Sequence, residues 1–251
     1  MIISNKLICG CAIYNATSTF YLNSIMMLYN KSMDTSSGTS TSETRHNYNN
    51  ISKWYDLIVG SKEKQLFDRG VKNLSTIKGG KILETGCGTG SGLLSLYKYL
   101  DKTNIIFGLD LSDGMLIKTK GKINPLLNIS IHLQQADARF LPFDRFTFSG
   151  IILGFTLELF PEEDINMVLA ECERVLVPEG KIVIVCMADA LTIPVRIYSF
   201  FHNLFPKFID CKPIDIERFI SNLKYDSFSI STQMLWGLPV DIVTISYVKG
   251  E

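Results

Sequence analysis

A chain of 251 residues, 46% of them hydrophobic, has enough material for one large α/β domain or two small ones. Its 25 basic and 25 acidic residues cancel and mix evenly along the sequence, so there is no basic face for a nucleic-acid backbone and nucleic acid is not expected as a partner. Six cysteines without a C-x-x-C pair indicate a reducing, cytoplasmic setting, and the three histidines, His46, His132 and His202, have no partner at metal-ligand spacing, so no metal is expected.

Residues 1–31 hold apolar patches that asparagine, serine and threonine interrupt before any of them reaches the ~18 residues of a membrane span. Met33 to Asn50 is polar and rich in serine and threonine, the composition of a frayed terminus, and Met33 is an alternative start. Residues 1–45 are therefore read as a flexible or mis-assigned extension and 46–251 as the domain. Ile51, Trp54, Tyr55 and Ile58 recur at helical spacing, as do Leu66, Phe67, Val71 and Leu74, so two helices precede the Lys78-Gly79-Gly80 turn.

The next stretch, KILETGCGTG, organises the rest. Ile82 and Leu83 suit a strand buried on both faces, Glu84 stands near its end, and Gly86, Gly88 and Gly90 give a turn that side chains would block. Leu93, Leu94, Leu96, Tyr97 and Leu100 then continue as a helix. Strand, glycine loop and helix in this order suit a nucleotide-type cofactor, and two ligands compete. The dinucleotide fingerprint wants a third glycine three residues after its second, where this chain has Ser91 or Leu93. Glu84 beside the turn suits a cation better than a diphosphate. A second strand, Ile105 to Leu109, ends in Asp110, twenty residues past Gly90, where a carboxylate can accept both hydroxyls of a ribose in either cofactor. Ser112 caps the following helix, with Met115 in its first turn. A third strand, ISIHLQQ, runs to Ala136, Asp137 and Ala138, and His132 within it reads as a strand residue rather than a catalyst.

FSGIILGF is a fourth strand, and Glu158 follows it, either as a general base or as a partner of the helix beginning near Pro161. Ile165, Val168, Leu169, Cys172 and Leu176 share one helical face before a Pro178-Glu179-Gly180 turn and a buried strand. Ile193 to Asp210 is dense in aromatics interleaved with Arg196, His202 and Lys207. Its 193–209 portion has an amphipathic face for an apolar substrate, for peripheral membrane contact, or for packing on the domain. A helix over Ile214 to Leu223 and strands over Ser227 to Met234 and Val240 to Val248 complete the chain.

On these motifs the chain resembles the class I S-adenosylmethionine-dependent methyltransferases, closest to the ubiquinone/menaquinone C-methyltransferase type and its small-molecule relatives. The carrying residues are Glu84 with Gly86, Gly88 and Gly90; Gly108, Asp110, Ser112 and Met115; Asp137-Ala138 with Leu141-Pro142-Phe143; and Glu171, Arg174, Val175, Leu176, Pro178 and Gly180. Glu179 stands where a glycine is common and Ser149 where aspartate is usual. The Asn/Asp-Pro-Pro-aromatic signature of amino-methylating relatives is absent. The resemblance implies a Rossmann-like, seven-stranded, mostly parallel sheet with helices on both faces and a C-terminal antiparallel hairpin. It implies S-adenosyl-L-methionine as cofactor, held by Tyr55, Glu84, Gly86, Gly88, Gly90, Asp110, Leu111, Met115, Asp137, Ala138 and Leu153, with Glu158 and His202 as catalytic candidates. The acceptor it implies is a small apolar or aromatic molecule: a quinol, a phenol or a lipid-like amine. A non-catalytic cofactor-binding module and an NAD(P)-dependent oxidoreductase are the rival expectations, and the oligomeric state is left open.

Overall fold

Ile82, Leu83, Ile151, Ile152, Leu153, Ile182, Val183, Ile184 and Val185 are all buried, as only strands in the middle of a sheet with layers on both sides can be. The computed structural model describes residues 61–124, 130–189, 212–235 and 237–247. The chain divides after Ser61, and every described strand lies in the unit Lys62–Glu251. The helix predicted over Ile51 to Ile58, with Tyr55, and the segment 193–210, with His202, fall outside the described residues, as does the boundary at residue 45.

Helix α1 (61–72) leads into β1 (Lys81–Thr85), α2 (Ser91–Tyr99), β2 (Ile105–Asp110), α3 (Asp113–Ile123) and β3 (Ile131–Gln135). Then come β4 (Phe148–Gly154), a 3₁₀ turn (Leu157–Leu159), α4 (Glu162–Val175), β5 (Leu176–Met187), α5 (Ile216–Ile220), β6 (Ser227–Leu235) and β7 (Leu238–Ser246). The seven strands lie in the order β3-β2-β1-β4-β5-β7-β6. Pairing is parallel from β3 through β5, while β7 runs antiparallel between β5 and β6. This is the expected seven-stranded, mostly parallel sheet with its antiparallel hairpin. The strand order reverses between β1 and β4, the crevice where sheets of this kind take their ligands.

Alternation along each strand divides the core in two. Ile82, Ile152, Val183 and Val185 pack with Leu66, Phe67, Val71 and Leu74 on and just after α1 and with Leu93 and Leu96 of α2. Leu83, Ile151, Leu153, Ile182 and Ile184 pack with Ile165, Val168, Leu169 and Cys172 of α4 and with Ile216, Phe219 and Ile220 of α5. Helices therefore cover both faces, and each of these large side chains contributes roughly 1.5–3 kcal/mol by leaving water. α1 lies tight on the sheet: a Cβ on its Gly70 would stand 2.8 Å from a Val185 methyl. Among the described residues no helix is long and apolar enough to cross a membrane.

Three local expectations shift. The Pro178-Glu179-Gly180 turn does not separate helix from strand but is an irregularity inside β5. Phe148 pairs with Leu176 and Gly150 with Lys181, and Glu179 takes a φ of 66° to make the detour. α5 is shorter than Ile214 to Leu223 because the Ile214 backbone is held in extended pairing, its N–H donating to Met187 O and its carbonyl accepting from Asp189 N. The hairpin strand starts at Leu238 rather than Val240, since Gly237 at φ 85° lets Leu235 pair directly with Leu238.

Candidate functional site

At the carboxyl end of β1 the backbone turns through three left-handed glycines, Gly86 (φ 73°), Gly88 (φ 52°) and Gly90 (φ 79°), a path that costs a side-chain-bearing residue roughly 1–2 kcal/mol per position. The turn is pinned from β2, where Leu109 O accepts from both Gly86 N (2.8 Å) and Cys87 N (2.9 Å). Asp110 finishes the job. Its Oδ2 accepts from Gly88 N at 2.7 Å and its Oδ1 from Ser112 N at 2.9 Å, so one carboxylate joins the glycine loop to the start of α3. Gly90 is the N-cap of α2 without a side-chain cap, and a Cβ on Gly88 would meet nothing within 4 Å, so the loop's backbone is left open to a ligand.

Glu84 lies beneath this loop, 4% exposed. Its carboxylate sits so close to the first turn of α2 that a Cβ on Gly92 would come within 1.9 Å of Oε1, and its Oε2 has no hydrogen-bond partner. Burial, reinforced by the charge of Asp110, pushes its carboxyl well above the usual glutamate range. Among the described residues neither Glu84 nor Asp110 forms an ion pair. Two carboxyl groups beside an open loop, neither held by a cation among the described residues, favour a cationic ligand. The loop's own Cys87 is no nucleophile, because burial and the two neighbouring carboxylates push its thiol up to about 12.

Beyond β3, Ala136 N donates to Asp110 O at 3.2 Å and brings Asp137 alongside. Asp137 is gripped by Arg139, whose guanidinium Nε donates to both of its oxygens at 3.1 Å, while another arm donates to Asp164 Oδ2 of α4 at 2.7 Å. That partner holds the Asp137 carboxyl below its ordinary range. Ala138 is buried, Leu111 and Met115 are exposed, and the Leu153 side chain lies wholly inside the core, leaving that residue its backbone to offer a ligand. Glu158 is buried in the 3₁₀ turn after β4. It does not cap α4; its Oε1 accepts instead from Met187 N at the end of β5, at 2.8 Å.

The fold thus gathers Glu84, the three glycines, Asp110, Leu111, Met115, Asp137, Ala138, Leu153 and Glu158 at the carboxyl ends of β1 to β4. Sequence reasoning passed over three supports. Thr156 bonds Thr85 O and Gly154 O, both at 3.1 Å, and its side chain occupies the space a Cβ on Gly86 would need. Thr119 bonds Gly88 O at 2.7 Å from the middle of α3. Arg139 follows Asp137 at the short spacing that lets an arginine reach back. The only signal for the threonines was a small polar residue just past the end of β4 for Thr156 and inside α3 for Thr119.

Comparison with known proteins bears on the same residues. Residues 82–180 match a family described as a methyltransferase domain. The demethylmenaquinone methyltransferase of Lactococcus lactis is 32% identical over 189 residues, 72% of each chain. That of Staphylococcus aureus is 34% identical over 167 residues, 64% of this chain and 66% of its own. A solved structure from Methanococcus maripaludis, titled as an S-adenosyl-L-methionine-dependent methyltransferase, shares the fold with a TM-score of 0.57 at 21% identity, over 86% of this chain and 98% of that one.

Proposed function

Because this chain belongs to the class I S-adenosylmethionine-dependent methyltransferases of the menaquinone type, we propose that the methyl group it transfers goes to a hydroxylated aromatic acceptor with an apolar tail, a quinol in the first instance. The observation that carries the reading is the pair of carboxyl groups, Glu84 and Asp110, beside an open left-handed glycine loop with no ion-pair partner among the described residues. When bound, S-adenosyl-L-methionine supplies a methyl group activated by its sulfonium. We assign Glu84 to its cationic amino-acid end, the backbone of Gly86, Gly88 and Gly90 to its close approach, and Asp110 to the ribose. Leu111, Met115, Asp137 and Ala138 are assigned to the adenine, and Leu153 and Tyr55 to the reacting end. The fit is chemical: a diphosphate would add charge of the same sign beside Asp110 and would further disfavour ionisation of the buried Glu84, whereas a sulfonium and an ammonium supply the cation that ionised Glu84 lacks. The chain's part in the reaction is then to hold acceptor and methyl in line and dry. The quinol follows the names of the relatives above.

Incubating the full chain with methyl-labelled S-adenosyl-L-methionine and a panel of isoprenoid naphthoquinols, phenols and amines, read by mass, tests this. Label is expected in the naphthoquinol. Tight cofactor binding with no transfer to any member would favour the non-catalytic module, transfer to amines alone would move the acceptor class, and a saturable NADH fluorescence enhancement would revive the oxidoreductase.

A further inference from the structure

Glu158 is a costly residue that the fold alone does not require. It is 4% exposed, one carboxylate oxygen accepts from Met187 N, and the other, Oε2, is buried without a hydrogen-bond partner. A glutamine would keep the Met187 bond and carry no charge into the interior. Nothing among the described residues is shown to offset the charge. Leu157 and Cys186 are fully buried beside it, Glu63 of α1 acts on it with like sign, and Asp241 of β7 pairs across from Cys186. Among the described residues no cation is bonded to it. Its place is at the ligand end of the sheet: two residues earlier in the chain, Thr156 seals the underside of Gly86.

We propose that Glu158 is the proton acceptor for the hydroxyl of an aromatic acceptor, taking the proton on its free Oε2 as the acceptor becomes nucleophilic. This rests on the methyl-transfer reading and specifies what that site selects: a phenolic O–H rather than an amine. The acceptor's O–H bond breaks, the proton goes to Oε2, and the electron pair stays on the acceptor. The electron-rich ring carbon or oxygen then forms the new bond to the methyl carbon, and the old C–S pair returns to sulfur, cancelling the sulfonium charge. For attack through carbon, the hydrogen on the methylated ring carbon leaves as a proton, and the proton held by Glu158 returns to the oxygen. Either way one proton reaches solvent per turnover. Burial pushes the Glu158 carboxyl up to about 7, which suits a group that must both take and release a proton near neutrality.

The test uses the full chain and Glu158→Gln, with 1-naphthol as a redox-stable hydroxyl probe. In the wild type, calorimetry should show 1-naphthol affinity rising on the order of tenfold from pH 6 to pH 8, as a bond to an ionised carboxylate replaces one to its neutral form. In Glu158→Gln the affinity should be low and flat over that range, with S-adenosyl-L-methionine affinity within twofold of wild type. Turnover of a naphthoquinol should fall on the order of a hundredfold or more, and the acidic limb of kcat/KM near pH 7 should vanish. Wild-type 1-naphthol affinity that is flat with pH overturns the proposal even if the variant does not fold, and so does a variant that keeps turnover with its acidic limb intact. Failure of the wild type to bind S-adenosyl-L-methionine would instead sink the methyl-transfer reading, which the probe titration does not depend on.

Discussion

Asp110 does two jobs with one side chain. Each of its oxygens already accepts a backbone N–H, from Gly88 and from Ser112, so the carboxylate shapes the loop before any ligand arrives. Asp110→Ala should therefore weaken S-adenosyl-L-methionine binding by about 1.5–3 kcal/mol, the scale of hydrogen bonds to a charged group, and lower the melting temperature as well. An unchanged dissociation constant in a folded variant would remove Asp110 from the site. Glu158 makes a different prediction, about stability. Its carboxyl is raised from 4.5 to about 7 in the folded chain. Between those values the native state holds a proton that the unfolded chain has lost, so stability falls as pH rises through the window. The full loss, about 3 kcal/mol, is reached above pH 7. Glu158→Gln cannot ionise and should be more stable than the wild type by about that amount at pH 8, with the gap closing towards pH 4. Glu84 has the same direction of shift but is present in both proteins and cancels. Denaturant titrations at the two pH values decide it, and a variant less stable than the wild type at pH 8 would contradict the assigned cost.

Among the elements, α2 carries the clearest conflict between local preference and packing. Alanine for Gly92 should favour a helix by about 0.8–1 kcal/mol, yet its Cβ would land 1.9 Å from the Glu84 carboxylate. We expect Gly92→Ala to destabilise the wild type but to stabilise a Glu84→Ala background, a sign reversal that a double-mutant cycle reads directly. Additive effects would mean that Glu84 does not sit against α2. The existence of these elements was legible because their periodicities are strong: the apolar faces of α2 and α4, the buried runs of β1, β4 and β5, and Ser112 as a cap, which accepts from Met115 N at 3.3 Å. What escaped was set by contacts between distant parts of the chain. Ile214 has no local reason to leave a helix; it is extended because Met187 and Asp189 bond to it. Pro178-Glu179-Gly180 reads as a terminator, and only the pairing of Phe148 with Leu176 shows that β5 begins before it. Within the site, the carboxylates and glycines announced themselves, whereas the grip of Arg139 on Asp137 and the packing of Thr156 against Gly86 depend on geometry that spacing does not encode.

For the molecule as a whole, the motifs assigned to the methyl donor all lie beyond Tyr48. A chain lacking residues 1–32 is accordingly expected to unfold cooperatively and to bind S-adenosyl-L-methionine with unchanged affinity; loss of either would assign those residues to the domain. The reversal of strand order between β1 and β4 gathers the candidate site at one end of the sheet, while the hairpin of β6 and β7 only widens the opposite flank. At the carboxyl end of β5 the bonds from Asp189 N to Ile214 O and from Ile214 N to Met187 O, 3.0 and 2.9 Å long, have an evolutionary meaning. They fasten position 189 to position 214, so the two ends of the sequence that joins them stay fixed when its length changes. Halving its length would alter the closure entropy by only about 0.6 kcal/mol, less than the loss of one good hydrogen bond. Insertions and deletions between those two ends can therefore accumulate in descendants of this scaffold without moving Glu84, the glycine loop or Asp110, which stand on β1 and β2 and the turn between them.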